Sequence, residues 1–223
     1  SWRTPFSPKF SEHRQDDYTE SNAWQATWFV PHDVNGLIEL MGSKEAFLKK
    51  LDQLFSESSE LEGTAASPDI SGMIGQYAHG NEPSHHIAYL YAMAGQPWKT
   101  QERIRTITKT LYTDQTNGLC GNEDCGQMSA WYIMSAMGFY PVNPAEGVYI
   151  IGSPHFQRAT ISIGKDHQFT VIANNVSDEN IYIQKAKLNG SSFNRCYIRH
   201  DEIAAGGTLI FEMGNKPNKR WGV

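Results

Sequence analysis

A change in hydrophobic periodicity near Pro141 constrains this chain more than any other feature. Before it, apolar residues recur at helical spacing, whereas after it short segments rich in β-branched and aromatic residues alternate with turn residues. A length of 223 residues is enough for one large or two small domains. We therefore predict an α+β protein, with helices over residues 1–142 and an antiparallel β region over residues 143–223.

The helical part contains five segments with start or stop signals, and these are 20–30, 43–56, 82–94, 97–112 and 125–138. Ser43 is expected to cap an amphipathic helix, and Pro97 opens a second one of the same kind. The segments 82–94 and 125–138 are apolar or small on nearly every side and should be buried. Alternating inner and outer helices are typical of a toroid of antiparallel helical hairpins, of which about half is present in this chain.

The β part contains six predicted strands, which are GVYIIG, RATISIG, QFTVIAN, NIYIQKAKLNG, RCYIRH and GTLIFEMG. Several of them alternate between apolar and polar residues, as an antiparallel sheet with one covered face requires. This sheet is expected to pack at the end of the helical region.

Charge and hydropathy argue against two classes of partner, which are nucleic acid and the interior of a membrane. A net charge of -5 without clustered Lys and Arg argues against nucleic acid. No apolar stretch approaches the roughly 20 residues of a membrane helix, and the N-terminus lacks a basic-then-apolar export signal.

Three cysteines form no disulfide framework. Cys120 and Cys125 could form a local disulfide or remain free thiols, and the unpaired Cys196 favours reduced thiols.

Three segments carry carboxylates together with Asn or His at the start of a predicted inner helix, and these are 18–33, 79–86 and 118–131. Because inner helices of a toroid run parallel, their N-termini gather at one rim, so Glu20, Glu82 and Asp124 should converge. Glycoside hydrolysis needs one protonated carboxylic acid and one carboxylate. A helix N-terminus favours the ionised form, which suits Asp124 as the base.

Each of these residues also has a structural interpretation. Asp124 could be a helix N-cap, with Gln127 completing a capping box. Glu20 and Glu82 could be a first-turn acid and a cap residue, stabilised by the helix dipole. The adjacent histidines could be buried structural residues.

The order of the segments favours the functional interpretation. The stretches ESNAWQATWFVPHD, GNEPSHHIAYLY and GNEDCGQMSAWYIMSAMGFYPV resemble signature blocks of glycoside hydrolase family 92 α-mannosidases, and GGTLIFEMGNKPNKRWG resembles the C-terminus of that family. The resemblance covers nearly the whole chain. It implies the C-terminal portion of a calcium-dependent, inverting exo-α-mannosidase, built from an N-terminal β-sandwich and an (α/α)6 toroid.

Several expectations follow from this resemblance. The chain should form a partial (α/α)6 toroid and the following β region, with the sandwich and the early toroid helices as partners. Mannose-containing glycans are the expected substrates, with α-1,2 linkages preferred, and the expected location is periplasmic or secreted.

The resemblance also implies roles for individual residues. Glu20 matches the general acid, and Asp124 is favoured over Glu123 as the general base. Asn81 and Glu82 match a Ca²⁺-binding dipeptide that offers a backbone carbonyl and a carboxylate, which are hard oxygen ligands.

Other positions match the substrate site or depart from the family pattern. The expected contacts to mannose come from Trp24, Gln25, His32, Asp33, His85, His86 and Asn122. Ser21 stands where the family more usually has glycine. Asn122 stands where a base made of two aspartates would have its second carboxylate.

Two rival functions are compatible with the sequence. The first is a carbohydrate-binding or structural fragment without turnover, since half a toroid need not form a closed site. The second is a glycoside phosphorylase of the same architecture, which would depend on phosphate. The absence of an Arg or Lys phosphate site near the motifs argues against it.

Overall fold

A computed structural model describes residues 4–165 and 167–223. They form two compact units, each of which is discontinuous in sequence. The first unit comprises Ser1–Ile87 and Thr110–Met128, and the second comprises Ala88–Lys109 and Ser129–Val223. The predicted domain division at residue 142 remains a prediction.

Seven α-helices lie within the described residues: α1 Ala23–Ala26, α2 Val34–Leu40, α3 Lys44–Ser56, α4 Leu90–Met93, α5 Pro97–Thr110, α6 Gln127–Met137 and α7 His200–Ala204. Three 3-10 turns are added at Glu82–Ser84, Ile87–Tyr89 and Pro144–Glu146. The predicted helices 43–56, 97–112 and 125–138 are confirmed as α3, α5 and α6. None of the helices in the described part of the chain combines the length and apolarity needed to cross a bilayer.

Two predicted helices are wrong in extent. The segment 20–30 contains only the four residues of α1, because Asn22 caps the helix from within that segment. The segment 82–94 is divided into two 3-10 turns and α4. An apolar composition predicted its burial correctly, but burial alone does not require continuous α-helix.

In the first unit, α3 provides the apolar core. Ser43 Oγ accepts a hydrogen bond from Ala46 N at 3.1 Å, which confirms the predicted cap. Phe47 is fully buried and meets Trp28 edge to face, with ring centroids 5.3 Å apart. Phe55 stacks on Tyr77 at 4.8 Å. These contacts fix α3 against the candidate site segment 18–33, which contains Trp28, and against the segment around Tyr77.

A short hairpin, β1 Met73–Ile74 and β2 Tyr77–Ala78, lies against the C-terminal end of α3. Its turn residue Gly75 has φ +63°, and a Cβ at this position would lie 2.4 Å from Leu54 O. Glycine is therefore required both for the left-handed turn and for the close approach to the helix.

Within its described residues, the second unit contains eight strands: β3 Phe139–Tyr140, β4 Val148–Ile151, β5 Arg158–Ile163, β6 His167–Asn174, β7 Tyr182–Leu188, β8 Ser191–Ser192, β9 Tyr197–Arg199 and β10 Gly207–Gly214. All six predicted strands are present. They form a three-stranded antiparallel sheet in the order β3-β4-β9 and a five-stranded sheet in the order β5-β6-β10-β7-β8.

The prediction of a wholly antiparallel sheet is wrong at one pair. The last strand, β10, lies between β6 and β7 and runs parallel to β6, with Leu209 opposite Val171. Its other pairing, with β7, is antiparallel. The alternation of β10 predicted a strand but carried no information about its neighbours.

The core of the second unit is apolar. Along β10, Leu209, Phe211 and Met213 are buried in one cluster, while the alternating residues face the other side of the sheet. Trp221 packs edge-on against Phe211, with ring centroids 6.3 Å apart. Its indole Nε1 donates to Phe193 O at 3.1 Å, so the aromatic side chain is buried with its polar atom satisfied.

Candidate active site

Three loops of the first unit bring the carboxylates of Glu20, Glu82 and Asp124 together. The Asn81 side-chain amide donates to the backbone oxygen of Glu20 at 3.1 Å and to its Oε2 at 3.3 Å. Burial raises the pKa of Glu82, and a hydrogen bond with the Asp124 carboxyl and the negative charges of Asp124 and Glu20 raise it further. The three carboxylates thus interact, although they are more than 100 residues apart at the extremes of the sequence.

Two of the three carboxylates stand on left-handed backbone. Glu20 and Asp124 both have φ +52°, and Cys125 has φ +57°. This region is uncommon for residues other than glycine, it costs about 1–3 kcal/mol, and its occurrences cluster at functional sites. The left-handed backbone therefore sets the direction of the Glu20 and Asp124 side chains, which are the predicted acid and base.

The capping-box interpretation of Asp124 is wrong. Helix α6 begins at Gln127, three residues later, and an N-cap has extended rather than left-handed backbone. The Gln127 side chain instead donates from Nε2 to His85 Nδ1 at 3.0 Å.

The loops that carry Glu82 and Asp124 approach each other backbone to backbone. A Cβ at Gly121 would lie 2.5 Å from Gly80 O, and a Cβ at Gly80 would lie 3.2 Å from Cys120 O. Only glycine permits this approach. The two glycines of the GN dipeptides, Gly80-Asn81 and Gly121-Asn122, are thus part of the reason that Glu82 and Asp124 meet.

Residue Asn22, which follows Glu20 by two positions, anchors α1. Its Oδ1 accepts from Trp24 N at 3.0 Å and from Gln25 N at 3.3 Å, and Gln25 Oε1 accepts from Asn22 N at 2.8 Å. Asn22 Nδ2 donates to Gln76 Oε1 at 2.8 Å, and Gln25 Nε2 donates to Gln76 O at 2.9 Å. The four-residue helix is therefore held by a buried carboxamide network.

Sequence reasoning missed Asn22 and Gln76 as site-forming residues. The spacing Asn22-x-x-Gln25 is a capping-box pattern and could have revealed the first of them. Nothing local marks Gln76, because its partners lie 54 and 51 positions away.

His85 and His86 are both buried. His85 Nε2 donates to His79 O at 3.0 Å, while its Nδ1 accepts from Gln127, so the ring is neutral with its proton on Nε2. Burial lowers the pKa of His85 to about 4. His86 Nε2 donates to Trp28 O at 2.7 Å, and burial lowers its pKa as well.

A third histidine, His79, was not among the sequence candidates. Tyr112 Oη donates to Met128 O at 3.2 Å, so it accepts its 2.7 Å hydrogen bond from His79 Nε2. His79 Nδ1 must then accept from Tyr77 Oη, also at 2.7 Å. This neutral ring ties the chain just before Asn81 to the first turn of α6. Burial, aided by the neighbouring His85, holds the pKa of His79 well below its usual range.

The comparisons with known proteins decide the family. The family model described as Glycosyl hydrolase family 92 catalytic domain matches residues 1–215. The chain belongs to glycosyl hydrolase family 92. The resemblance seen in the sequence is thereby confirmed over nearly the whole chain.

Two solved family 92 structures from Bacteroides thetaiotaomicron are similar to this chain. An alpha-mannosidase in complex with mannoimidazole is 42% identical with a TM-score of 0.92, and the match covers 100% of this chain and 30% of that one. An inverting mannosidase is 40% identical with a TM-score of 0.84, covering 100% of this chain and 31% of that one. An uncharacterized secreted glycosidase from Arthroderma benhamiae is 33% identical over 215 residues, which are 95% of this chain and 25% of the relative. The chain thus spans less than a third of each relative.

The other predicted site residues of this family 92 chain differ in their surroundings. Trp24 and Gln25 are buried, and Lys50 Nζ lies 3.5 Å from the centre of the Trp24 ring. His32 is exposed, and Asp33 caps α2 by accepting from Gly36 N at 2.8 Å.

The GNED loop carries the remaining candidates. Asn122 is exposed and Glu123 is half-buried. The backbone oxygen of Glu123 accepts from Met128 N at 3.2 Å, so this residue is tied to the first turn of α6.

The donor set at Asn81 and Glu82 fits a hard cation that keeps several water ligands. Asn81 O accepts from Ser84 N at 3.1 Å, which leaves one lone pair, and Glu82 adds a carboxylate whose pKa is raised by burial and, further, by the neighbouring carboxylates. Within residues 4–165 and 167–223, no group of three or more His, Cys, Asp or Glu side chains forms a metal cage. Calcium takes six to eight oxygens, and water can supply part of them.

All three cysteines are free thiols in the described structure, as the sequence favoured. Cys120 is half-buried, and Cys125 is exposed. Burial raises the pKa of the Cys120 thiol, which disfavours the reactive thiolate.

Proposed function

We propose that this chain forms part of a calcium-dependent, exo-acting, inverting α-mannosidase that removes terminal mannose from glycans, with α-1,2 linkages preferred. The observation that carries the proposal is the convergence of Glu20, Glu82 and Asp124 in a chain of glycosyl hydrolase family 92. Such an enzyme would include an N-terminal β-sandwich, and the helices of this chain would belong to an (α/α)6 toroid.

In this proposal Glu20 is the general acid and donates its proton to the glycosidic oxygen as the bond to the anomeric carbon breaks. Asp124, assisted by Glu123, accepts a proton from the water that attacks the opposite face of the sugar. Inversion requires about 6.5–9.5 Å between the two carboxyl groups, so that this water fits. The exposure of Glu20 and Asp124 supports access of substrate and water.

Asn81 and Glu82 would hold Ca²⁺ through the Asn81 carbonyl and the Glu82 carboxylate. When bound, the ion would supply a positive charge, and hydroxyl oxygens of the sugar would coordinate it. The Asn81 side-chain amide, which donates to Glu20, would keep the acid next to the metal-binding dipeptide.

The other candidates would contact mannose or position the catalytic groups. His85 presents neither ring nitrogen freely, because one donates to His79 O and the other accepts from Gln127, so it acts as a positioning residue in this proposal. Trp24, His32 and His86 would contribute to the sugar site, together with Gln25, Asp33 and Asn122.

Release of mannose from α-1,2-mannobiose, with Ca²⁺ and with a chelator, tests this function. Calcium-dependent release is expected, and proton NMR of the fresh product should show the β-anomer of mannose first. Release that is indifferent to the chelator would contradict the calcium assignment. An α-anomer appearing first would contradict inversion.

A carbohydrate-binding fragment without turnover is the second candidate. It is favoured by the finding that the chain spans only 25–31% of its relatives. It predicts Ca²⁺ binding without release of mannose in the same assay.

Export is proposed on two grounds. The curated relative is described as a secreted glycosidase. Glycans with terminal mannose are encountered largely outside the cytoplasm. A periplasmic or secreted location would be tested by fractionating cells that express the natural gene.

A further inference from the structure

The outer face of the five-stranded sheet in the second unit carries a groove that the proposed active site does not use. Its floor contains Lys185 and Lys187 of β7 and Ile210 and Glu212 of β10, which alternate with buried residues of those strands, and its volume is about 690 Å³. Its lining also includes Ala186, Phe193 and Trp221 of the apolar cluster. A neighbouring depression of about 610 Å³ on β6 and β10 shares Asn174 and Glu212 with it. Ligand sites commonly have volumes of about 300–1,000 Å³.

The strand register arranges the floor of this groove in rows. One row crosses four strands in the order Arg158, Ile172, Ile210 and Lys187. With neighbouring strands about 4.8 Å apart, the two cations of this row are about 14 Å apart at their backbones. Ile172 and Ile210 are half-buried and provide an apolar strip between them.

The second row runs Asn174, Glu212 and Lys185. Glu212 Oε1 accepts from Asn174 Nδ2 at 2.7 Å. Lys185 and Lys187 are exposed and lie two positions apart on one strand, so both point to the same face, about 7 Å apart.

The charge of the groove opposes that of the whole chain. The groove contains Lys185, Lys187 and Arg220, the neighbouring depression adds Arg158, and the two share a single carboxylate, that of Glu212, on a chain with net charge -5. None of the four cations takes part in the salt bridges recorded within the described residues. A local excess of positive charge on a negative protein attracts anionic ligands.

The wall of the groove is fixed by hydrogen bonds to the C-terminal segment. Asn218 Nδ2 donates to Gln184 O at 2.9 Å, and Gln184 Nε2 donates to Lys216 O at 2.8 Å. Arg220 N donates to Asn218 Oδ1 at 3.0 Å, and the next residue, Trp221, is buried. The groove is therefore a built surface, and its shape exists before any ligand arrives.

We propose that this groove binds a phosphorylated glycan, with the phosphate between Lys185 and Lys187 and a sugar ring over the Ile172–Ile210 strip. Two lysines on one strand face match the double charge of a phosphate better than the single charge of a carboxylate. The proposed function enters only in the choice of a sugar as the group that carries the phosphate. The site has a binding role and no part in bond cleavage.

Titration of the purified protein with mannose 6-phosphate, followed by calorimetry, tests the proposal. Binding should weaken as salt is raised, because the contacts are exposed charge pairs. The double substitution Lys185→Gln and Lys187→Gln should reduce affinity at least about 10-fold, because both positive charges that face the phosphate are lost; this corresponds to about 1.4 kcal/mol. A matched control, Lys44→Gln with Lys49→Gln on α3, removes the same charge from exposed positions of the first unit and should retain affinity.

Three results would overturn the proposal. One is equal loss of affinity in the control, which would mean a general charge effect. Another is binding of inorganic phosphate as tight as that of mannose 6-phosphate, which would mean an adventitious anion only. The third is equal binding of glucuronate, which would refute the preference for phosphate.

Hydrolysis of neutral α-1,2-mannobiose separates this proposal from the proposed function. The groove variant should hydrolyse it at the rate of the unsubstituted protein. If no version hydrolyses it while mannose 6-phosphate binding persists and depends on the two lysines, the proposed function fails and the groove assignment stands.

Discussion

Different side chains hold together the surroundings of the candidate site in the first unit and the sheet of the second unit. In the first unit, buried positions include Asn22, Gln25, Gln76, His79 and His85, and each of these side chains has hydrogen-bonded partners. In the second unit, the main cluster consists of aliphatic and aromatic residues from the sheet.

The difference separates two kinds of structural information. Hydrogen bonds are directional, so they hold the backbone of the first unit at the positive φ angles of Glu20 and Asp124. Apolar packing is not directional. It depends on the volume of the buried side chains and on the alternation of buried and exposed positions along a strand. Substitutions should therefore damage chemistry in the first unit and stability in the second.

The largest expected effect is that of Glu20→Gln on activity. Loss of the proton donor should reduce kcat about 10²–10⁴-fold. The free energy of unfolding should change little, because the side chain is exposed and glutamine can still accept from Asn81. Rates on α-1,2-mannobiose and urea unfolding measure the two quantities.

The matched control for that variant is Glu39→Gln, which makes the same change at an exposed residue of α2. It should leave both quantities unchanged. Near-normal turnover of Glu20→Gln would refute the assignment of Glu20 as the acid.

In the second unit, Phe211→Ala should reduce the free energy of unfolding by about 3–5 kcal/mol, since a fully buried aromatic side chain is removed from the core. Thr208→Ala, on the same strand but half-buried on the opposite face, should cost much less. Chemical denaturation compares them. Equal losses of unfolding free energy in the two variants would mean that the face of β10 that carries Phe211 is no more buried than the face that carries Thr208.

Gln76→Leu tests whether polar packing in the first unit carries both stability and chemistry. It would leave the buried Asn22 amide without its partner, at a cost of about 1–3 kcal/mol. It would also remove the donor to the Ser58 and Glu60 carbonyls, which lie at exposed residues. Turnover should fall as well, because α1 directly follows Glu20. Gln53→Leu, at an exposed position of α3, is the matched control. A large loss of stability with normal turnover would show that the network does not position Glu20.

The smallest effect concerns Glu82→Gln in the presence of a chelator. The pKa of Glu82 is raised in the folded state, so the folded protein holds this proton more tightly than the unfolded chain does. The stability contributed by protonation is present below the ordinary pKa of 4.5 and is lost as pH rises through the raised value. The difference in unfolding free energy between wild type and variant should therefore shift in favour of the variant as pH rises.

Urea unfolding of both proteins at several pH values between 4 and 7 measures this difference. A difference that does not change with pH would mean that repulsion among the three carboxylates is absent. Added Ca²⁺ should reverse the trend and favour wild type at neutral pH, since a bound cation stabilises the ionised carboxylate.

Much of the second unit was predictable from the sequence. Alternation in RATISIG and GTLIFEMG identified β5 and β10, because residues on successive positions of a strand face opposite sides. The stripe of α3 and its Ser43 cap were predictable for the corresponding reason in helices. The position of β10 between β6 and β7 was not, since alternation reports a buried face without naming the neighbouring strand.

For the candidate site, the sequence supplied the segments and the residue types, and the family resemblance supplied the expected roles. It could not supply Gln76 or His79 as partners. The hydrogen bonds of Gln76 to Asn22 and of His79 to Tyr112 join residues more than 30 positions apart.

The sequence by itself thus determined six of the strands, three of the helices, the identity of the three carboxylates and the expectation that they converge. Only the tertiary structure showed how Glu20, Glu82 and Asp124 meet, through left-handed backbone and the contact of Gly80 with Gly121. The physical reason is the sequence distance over which each interaction acts. Periodicity and capping act within a few residues, whereas the approach of distant loops depends on packing of the whole unit.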